Sequence, residues 1–159
     1  MQRYVEENPQ FSGPDVAVLD DGNYFKALKY SWLLKLSGHE DLARPLLQRG
    51  LEFLDERCDG SKEEGFWDCD SRYIVYGLLE QREQTLAELR RVIVEDQAWI
   101  KPWQVYEDRG ALDFLRDDPE FQRLMKIRAD RYAAQLKNIR EMERTGEILP
   151  APWLVGDTQ

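Results

Sequence analysis

The sequence predicts an all-α fold, in which short antiparallel helix pairs are closed by one long C-terminal helix. Three observations predict it. Apolar residues recur at three- and four-residue spacing along several segments, the period of a helix buried on one face. The one β-type run, Tyr73-Ile74-Val75-Tyr76, has no second strand to pair with and is read as helix. The last segment keeps the helical period for about seven turns between an Asp-Pro start and a glycine stop.

Residues 1–19 hold Pro9, Gly13 and Pro14 around a short VAVL run and read as an extended lead-in that docks on the helices after it. A helical repeat region is expected over 20–145. Its first helix lies in DDGNYFKALKYSWLLKLSG, capped by Asp20 or Asp21, with Tyr24, Leu28, Ser31 or Trp32, and Leu36 in register and Gly38 as the stop. The second lies in HEDLARPLLQRGLEFLDERC, with Leu42, Leu46, Leu47, Leu51 and Leu54 as its stripe. A start near Glu40 or Asp41 keeps Pro45 in or just past the first turn, where a missing N–H matters least.

After a charged, glycine-rich loop, a third helix is read in DCDSRYIVYGLLEQ. A fourth lies in EQTLAELRRVIVEDQ, burying Leu86, Leu89, Val92 and Ile93. WIKPWQVYEDRGALDFL breaks into short pieces at Pro102 and Gly110. The final helix spans 119–145, with Asp118 as N-cap, Pro119 at the first position and Gly146 past the end. Phe121, Leu124, Met125, Ala129, Tyr132, Leu136, Ile139 and Met142 run along one side, expected to cover the last helix pair. The tail, 146–159, has two prolines and reads as extended, with Trp153 and Leu154 able to dock on the body.

The formal net charge of −9 is uneven. Residues 1–118 hold 15 Lys/Arg and 25 Asp/Glu, whereas 119–145 hold 7 and 4. An acidic body repels nucleic acid and anionic membranes, so neither is an expected partner, and the positive helix is expected to balance the body. No run approaches the ~20 apolar residues that span a bilayer, so no membrane insertion is expected.

The chemistry-bearing residues are sparse. Cys58 and Cys69 form no zinc pattern with the single histidine, His39. They read as free thiols beside a loop, or as a disulfide closing it in an oxidising compartment. The carboxylate pairs Asp20-Asp21, Glu63-Glu64, Asp68 with Asp70, and Asp117-Asp118 sit in caps and loops, where capping explains them better than a cleft with opposed acids. His39 reads as an exposed cap-region residue. Asp68-x-Asp70 lacks the glycine and distal glutamate of a calcium loop. No catalytic residue, metal site or cofactor is therefore expected. The alternative is a small-ligand or enzymatic site near the 58–70 loop.

The first helix pair, ALKYSWLLKLSGHEDLARPLLQRGLEFLDE, resembles a tetratricopeptide repeat (TPR). Gly38 matches the inter-helix glycine, and Ser31, Ala43 and Gly50 hold the small positions where the helices cross. Leu47 takes the large position between them. Aligning Ala87 with Ala43 gives the second pair a 44-residue register, in which Arg82 stands for the glycine and Arg91 and Val94 for Leu47 and Gly50. LRDDPEFQRLM, with the helix after it, resembles the segment that closes TPR regions of bacterial multidomain signalling proteins.

The resemblance implies an alpha-alpha superhelix with a capping helix. It also implies a non-catalytic module for protein–protein or interdomain contacts, at the C-terminal end of a larger bacterial protein. Carrying over the family's inner-face positions gives Phe25, Leu28, Trp32, Lys35 and Leu36 in the first pair, and Cys69, Arg72, Tyr76, Leu79 and Glu80 in the second. Of these, Phe25, Trp32, Lys35, Arg72 and Tyr76 are the expected partner-binding residues, suited to a peptide or a neighbouring domain. A homodimer through the long helix is a further possibility. A cytoplasmic location is expected, or a periplasmic one if the parent carries an upstream transmembrane helix.

Overall fold

The computed structural model describes residue 11 and residues 18–20, 22–58, 71–95 and 110–148. Five α-helices account for most of them: α1 Tyr24–Leu36, α2 Glu40–Cys58, α3 Arg72–Leu78, α4 Arg82–Arg90 and α5 Pro119–Thr145. A π-helical turn, Arg91–Glu95, continues α4, and a 3₁₀ turn, Asp113–Leu115, precedes α5. No strand occurs among the described residues, so Tyr73–Tyr76 is helical as its isolation predicts.

The chain enters α1 through a turn built by side chains. Asp20 Oδ1 accepts from the backbone N–H groups of Gly22 and Asn23, and Asn23 Oδ1 accepts from that of Asp20. Asp20 therefore shapes the approach, while Asn23 occupies the cap position without a side-chain cap bond. The buried face of α1 is Tyr24, Ala27, Tyr30, Ser31 and Leu34. Leu36, expected in that stripe, is 59% exposed, and Leu28 and Trp32 are half-buried. Likewise α2 buries Leu46, Leu47 and Leu54 but leaves Leu42 49% exposed at its start. Pro45 is the sixth residue of α2 and faces solvent.

The two hairpin turns are the same turn. In the first, the N–H of Gly38 donates to Lys35 O, that of His39 to Leu34 O and that of Ala43 to His39 O. In the second, Glu80 donates to Gly77 O, Gln81 to Tyr76 O and Thr85 to Gln81 O, each bond displaced by 42 residues. The left-handed position is Gly38 (φ 78°) in one and Glu80 (φ 57°) in the other. The register is thus 42 residues rather than the 44 inferred from aligning alanines. It sets Thr85 against Ala43, Leu89 against Leu47 and Val92 against Gly50, and all six are buried. The backbone turn fixes the register. A search for small residues misses it, because a threonine and a valine fill the second pair's small positions.

α1 and α3 lie side by side and point the same way. Near their starts, the Tyr24 hydroxyl and Ser71 Oγ share a buried hydrogen bond of 3.0 Å. Near their ends, Lys35 Nζ donates to Leu78 O and to Glu80 Oε1. At the start of α3, Arg72 Nη2 reaches back to Leu54 O and Asp55 in the last turns of α2. The ends of the intervening loop are therefore held close together. Cys58 is disulfide-bonded rather than a free thiol, and the sequence has one other cysteine, Cys69. The loop closure that Arg72 maintains favours a bridge over two separate thiols.

α5 begins and ends as its sequence predicts. Asp118 Oδ1 accepts from the N–H groups of Glu120 (2.9 Å) and Phe121 (3.1 Å), Pro119 opens the helix, and Gly146 (φ 78°) ends it. Only the first half covers the body. Leu124 is fully buried, and Phe121, Met125 and Ile127 pack against the core. Tyr132, Leu136, Ile139 and Met142 are exposed, contrary to the expectation that the whole stripe covers the last pair. A helix of 27 residues is about 40 Å long, far longer than the nine-residue α4 beneath it.

The charge pattern of this joint is also reversed. Acids on α5 meet bases on α4, through Asp118 with Arg82 and Glu120 with Arg90. Arg131 Nη1 donates to the Ile93 carbonyl of the π turn. A net charge summed over 27 residues does not determine which groups touch.

Candidate interaction surface

The expected partner-binding residues are carried by α1 and α3. On α1, Phe25 and Trp32 are seven residues apart, nearly two full turns, and so share a face. Phe25 is 43% exposed, and its ring lies edge-on to Tyr24, 5.5 Å between centroids. Tyr24 in turn stacks on Phe53 at 5.1 Å. This pins Phe25 from beneath and leaves its outer surface open. Trp32 is half-buried, with its indole beside Gly110, and Leu36 flanks the same glycine. Gly110 has φ 93°, where an L side chain is strained, so this close approach suits glycine.

Lys35 stands at the end of this face. Its ammonium holds the Leu78 carbonyl and the Glu80 carboxylate, with Glu40 at 3.9 Å. It links α1 to the C-terminal end of α3, its charge answered by the two carboxylates.

Arg72 and Tyr76 lie elsewhere, in a polar cluster among α2, α3 and α4. Arg72 meets Asp55 at 2.8 Å and Glu88 at 3.8 Å, and Arg91 Nε donates to Glu88 at 2.9 Å. The Tyr76 phenol is pushed above its ordinary range, first by burial and then by the Asp55 carboxylate, so it stays neutral. Arg72 Nε is buried without a hydrogen-bond partner, while the other guanidinium nitrogens are engaged.

The structure thus brings Phe25, Trp32 and Lys35 to one helix and sets Arg72 and Tyr76 on a different side of α3. The register explains the separation. Two residues on a helix turn the face by about 200°. In the 42-residue register, Trp32, Lys35 and Leu36 correspond to Ile74, Gly77 and Leu78. A Cβ on Gly77 would lie 2.6 Å from the Ala111 carbonyl oxygen and 3.0 Å from Leu112. That face of α3 is therefore covered by residues 111–112, while the corresponding face of α1 is left partly open. Sequence reasoning passed over Gly77, although an isolated glycine within an apolar helix is itself a signal of close backbone approach.

His39 is exposed at the first hairpin tip, where its carbonyl accepts from Leu42 and Ala43. Two crevices between the described helices, one beside Tyr24, Leu46 and Val75 and one beside Lys35, Ala43 and Leu79, leave no room for even a water molecule. Both fall short of the roughly 300 Å³ at which ligand clefts begin. Among the described residues, no group of three or more His, Cys, Asp or Glu could hold a metal ion, and no helix is long and apolar enough to cross a membrane. Asp68, Cys69 and Asp70, which the alternative site requires, lie outside the described residues, as do Trp153 and Leu154. Comparison with protein-family models, with curated proteins and with solved structures gives no match.

Proposed function

We propose that this chain is a TPR-like repeat module that binds a peptide or a neighbouring domain without catalysis, using the face of α1 that carries Phe25, Trp32 and Leu36. The observation that carries the reading is the repeated turn, in which the same backbone hydrogen bonds recur 42 residues apart. The parallel placement of α1 and α3 adds to it, since stacked repeats set like helices side by side.

The binding residues are Phe25, Trp32 and Leu36, with Lys35, paired with Glu80, at one end. Phe25 and Leu36 are the large apolar side chains of α1 left most open, while its other apolar residues are buried or half-buried. Aromatic and aliphatic anchors on one helix face suit an extended apolar segment. The resemblance of Leu115–Met125 to the closing segment of bacterial signalling proteins supports the interdomain form, with the ligand on the same parent chain.

Selection from a displayed peptide library tests the reading. Selected peptides should lose at least about tenfold in affinity for Phe25→Asp, about 1.4 kcal/mol, while that variant melts like the parent. Peptides that bind parent and variant equally, or a library that yields no binder, would refute it.

A further inference from the structure

The face of α1 that carries Phe25 and Leu36 also carries a cation. Phe25, Lys29, Trp32 and Leu36 follow one another at helical spacing and lie within about 60° round the helix axis. Phe25, Lys29 and Leu36 are exposed, and Trp32 is half-buried beside Gly110. Lys29 thus stands inside an apolar face, one turn from the Phe25 ring.

The charge of Lys29 is not answered within the fold. Among the described residues its ammonium meets no carboxylate and no hydrogen-bond acceptor. The helix itself offers none, since Tyr24–Leu36 holds Lys26, Lys29 and Lys35 and no acidic residue. The other two lysines are placed differently. Lys35 is held by the Glu80 carboxylate and the Leu78 carbonyl, and Lys26 is turned about 100° from Phe25.

An unpaired ammonium in this position selects what can lie over it. A purely apolar segment resting on Phe25 and Leu36 would strip water from Lys29 and give nothing back. A segment with a carboxylate at that point meets the charge, and the face then discriminates against segments without one. The net charge of −9 does not oppose this, because exposed charges more than about 8 Å apart are largely screened at physiological ionic strength.

Spacing fixes where the carboxylate belongs. Phe25 to Lys29 is about 6 Å along the axis, and Lys29 to Leu36 about 10.5 Å. An extended segment advances about 3.3 Å per residue. The acid therefore falls about two residues from the one resting on Phe25 and about three from the one resting on Leu36, whichever way the segment runs.

We propose that the segment bound on α1 is acidic as well as apolar, with a carboxylate paired to Lys29 between two apolar residues that rest on Phe25 and Leu36. The proposal rests on the reading of α1 as the binding face and adds the chemistry of its ligand.

Peptides selected from a displayed library on the full chain test it. They should carry Asp or Glu between two apolar residues at the spacing above, and should bind Lys29→Gln about threefold more weakly than the parent. Lys29→Glu should bind more weakly still, and exchanging the peptide's acid for lysine should restore its affinity. Lys26→Gln, the same change on another face, should alter nothing. Selected peptides without an acid overturn the proposal, as do acid-bearing peptides that bind parent and Lys29→Gln alike. Either result leaves the apolar reading standing if Phe25→Asp still weakens binding. Equal losses in Lys26→Gln and Lys29→Gln also overturn it and place the attraction in the charge of the whole helix. Peptides indifferent to both Phe25→Asp and Lys29→Gln, or a library without binders, overturn the ligand and the binding face together.

Discussion

The two helix hairpins share a turn but not the residues that make such a turn easy. The first has Gly38 at the left-handed position, and Ala43 and Gly50 where its helices cross. The second has Glu80, Thr85 and Val92 at the corresponding places. Backbone geometry is kept while the side chains that usually mark it are not. The second hairpin is braced from outside instead. Lys35 holds Glu80 and the Leu78 carbonyl, the 111–112 segment presses on Gly77, and α5 is tied to α4 through Arg82 and Arg90. The first hairpin is encoded locally, whereas the second depends on its neighbours.

The sharpest break in that comparison comes from the two helix glycines. Gly→Ala in a helix interior ordinarily stabilises by about 0.5–1 kcal/mol. At Gly50 the new Cβ would meet Tyr24 at 3.6 Å, an ordinary contact, so Gly50→Ala should be neutral or mildly stabilising. At Gly77 it would lie 2.6 Å from the Ala111 carbonyl oxygen, backbone that cannot swing aside. Gly77→Ala should destabilise by roughly 1–3 kcal/mol, as overpacking does. Urea unfolding of both variants checks the contrast, and equal midpoints would show that the 111–112 segment does not brace α3.

Next in size are the two turn positions. Gly38→Ala forces an alanine to φ 78° and should cost about 1 kcal/mol. Glu80→Gly relieves the same strain but gives up the exposed contact with Lys35, leaving a gain of about 0.5 kcal/mol. Opposite signs in thermal melts would support two versions of one turn. A loss at both positions would mean that the Lys35 contact outweighs the strain.

The smallest effect is at the joint with α5. Glu120, held by Arg123 and Arg90, titrates at about 2 instead of 4.5, and Asp118 is lowered chiefly by the Phe121 N–H. Both folded values lie below the ordinary ones, so the fold favours the ionised forms. Their contribution is complete above the ordinary carboxylate range and is lost as pH falls towards 2. Glu120→Gln should therefore flatten the fall in urea midpoint between pH 4.5 and 2. An unchanged slope would show that the arginine contacts contribute nothing to docking α5.

Much of this was legible in the sequence where the cause was local. Asp118-Pro119 and Gly146 bound α5 because a cap, a proline and a left-handed glycine each answer a need of the adjacent backbone. Gly38 marked the first turn for the same reason. Glu80 could not mark the second, since a glutamate's own preferences do not point to the left-handed conformation it adopts there. Arg72 and Tyr76 match the Trp32 face in a 44-residue register but not in the 42-residue register of the turns. Periodicity also gave the α5 stripe its residues without saying what lies over them, because period describes one helix and cover depends on a partner. That Phe25 and Trp32 share one face of α1 was legible from their seven-residue spacing.

The central claim is that α1 and α3 lie parallel as like members of two repeated hairpins. Proton–proton Overhauser effects at both ends of the pair measure this directly. The account predicts contacts from Tyr24 to Ser71 and from the Lys35 side chain to Leu78 and Glu80, together in one sample. Contacts from Tyr24 to the Leu78–Glu80 end, with Lys35 beside Ser71, would mean that the helices run in opposite directions and would contradict the repeat.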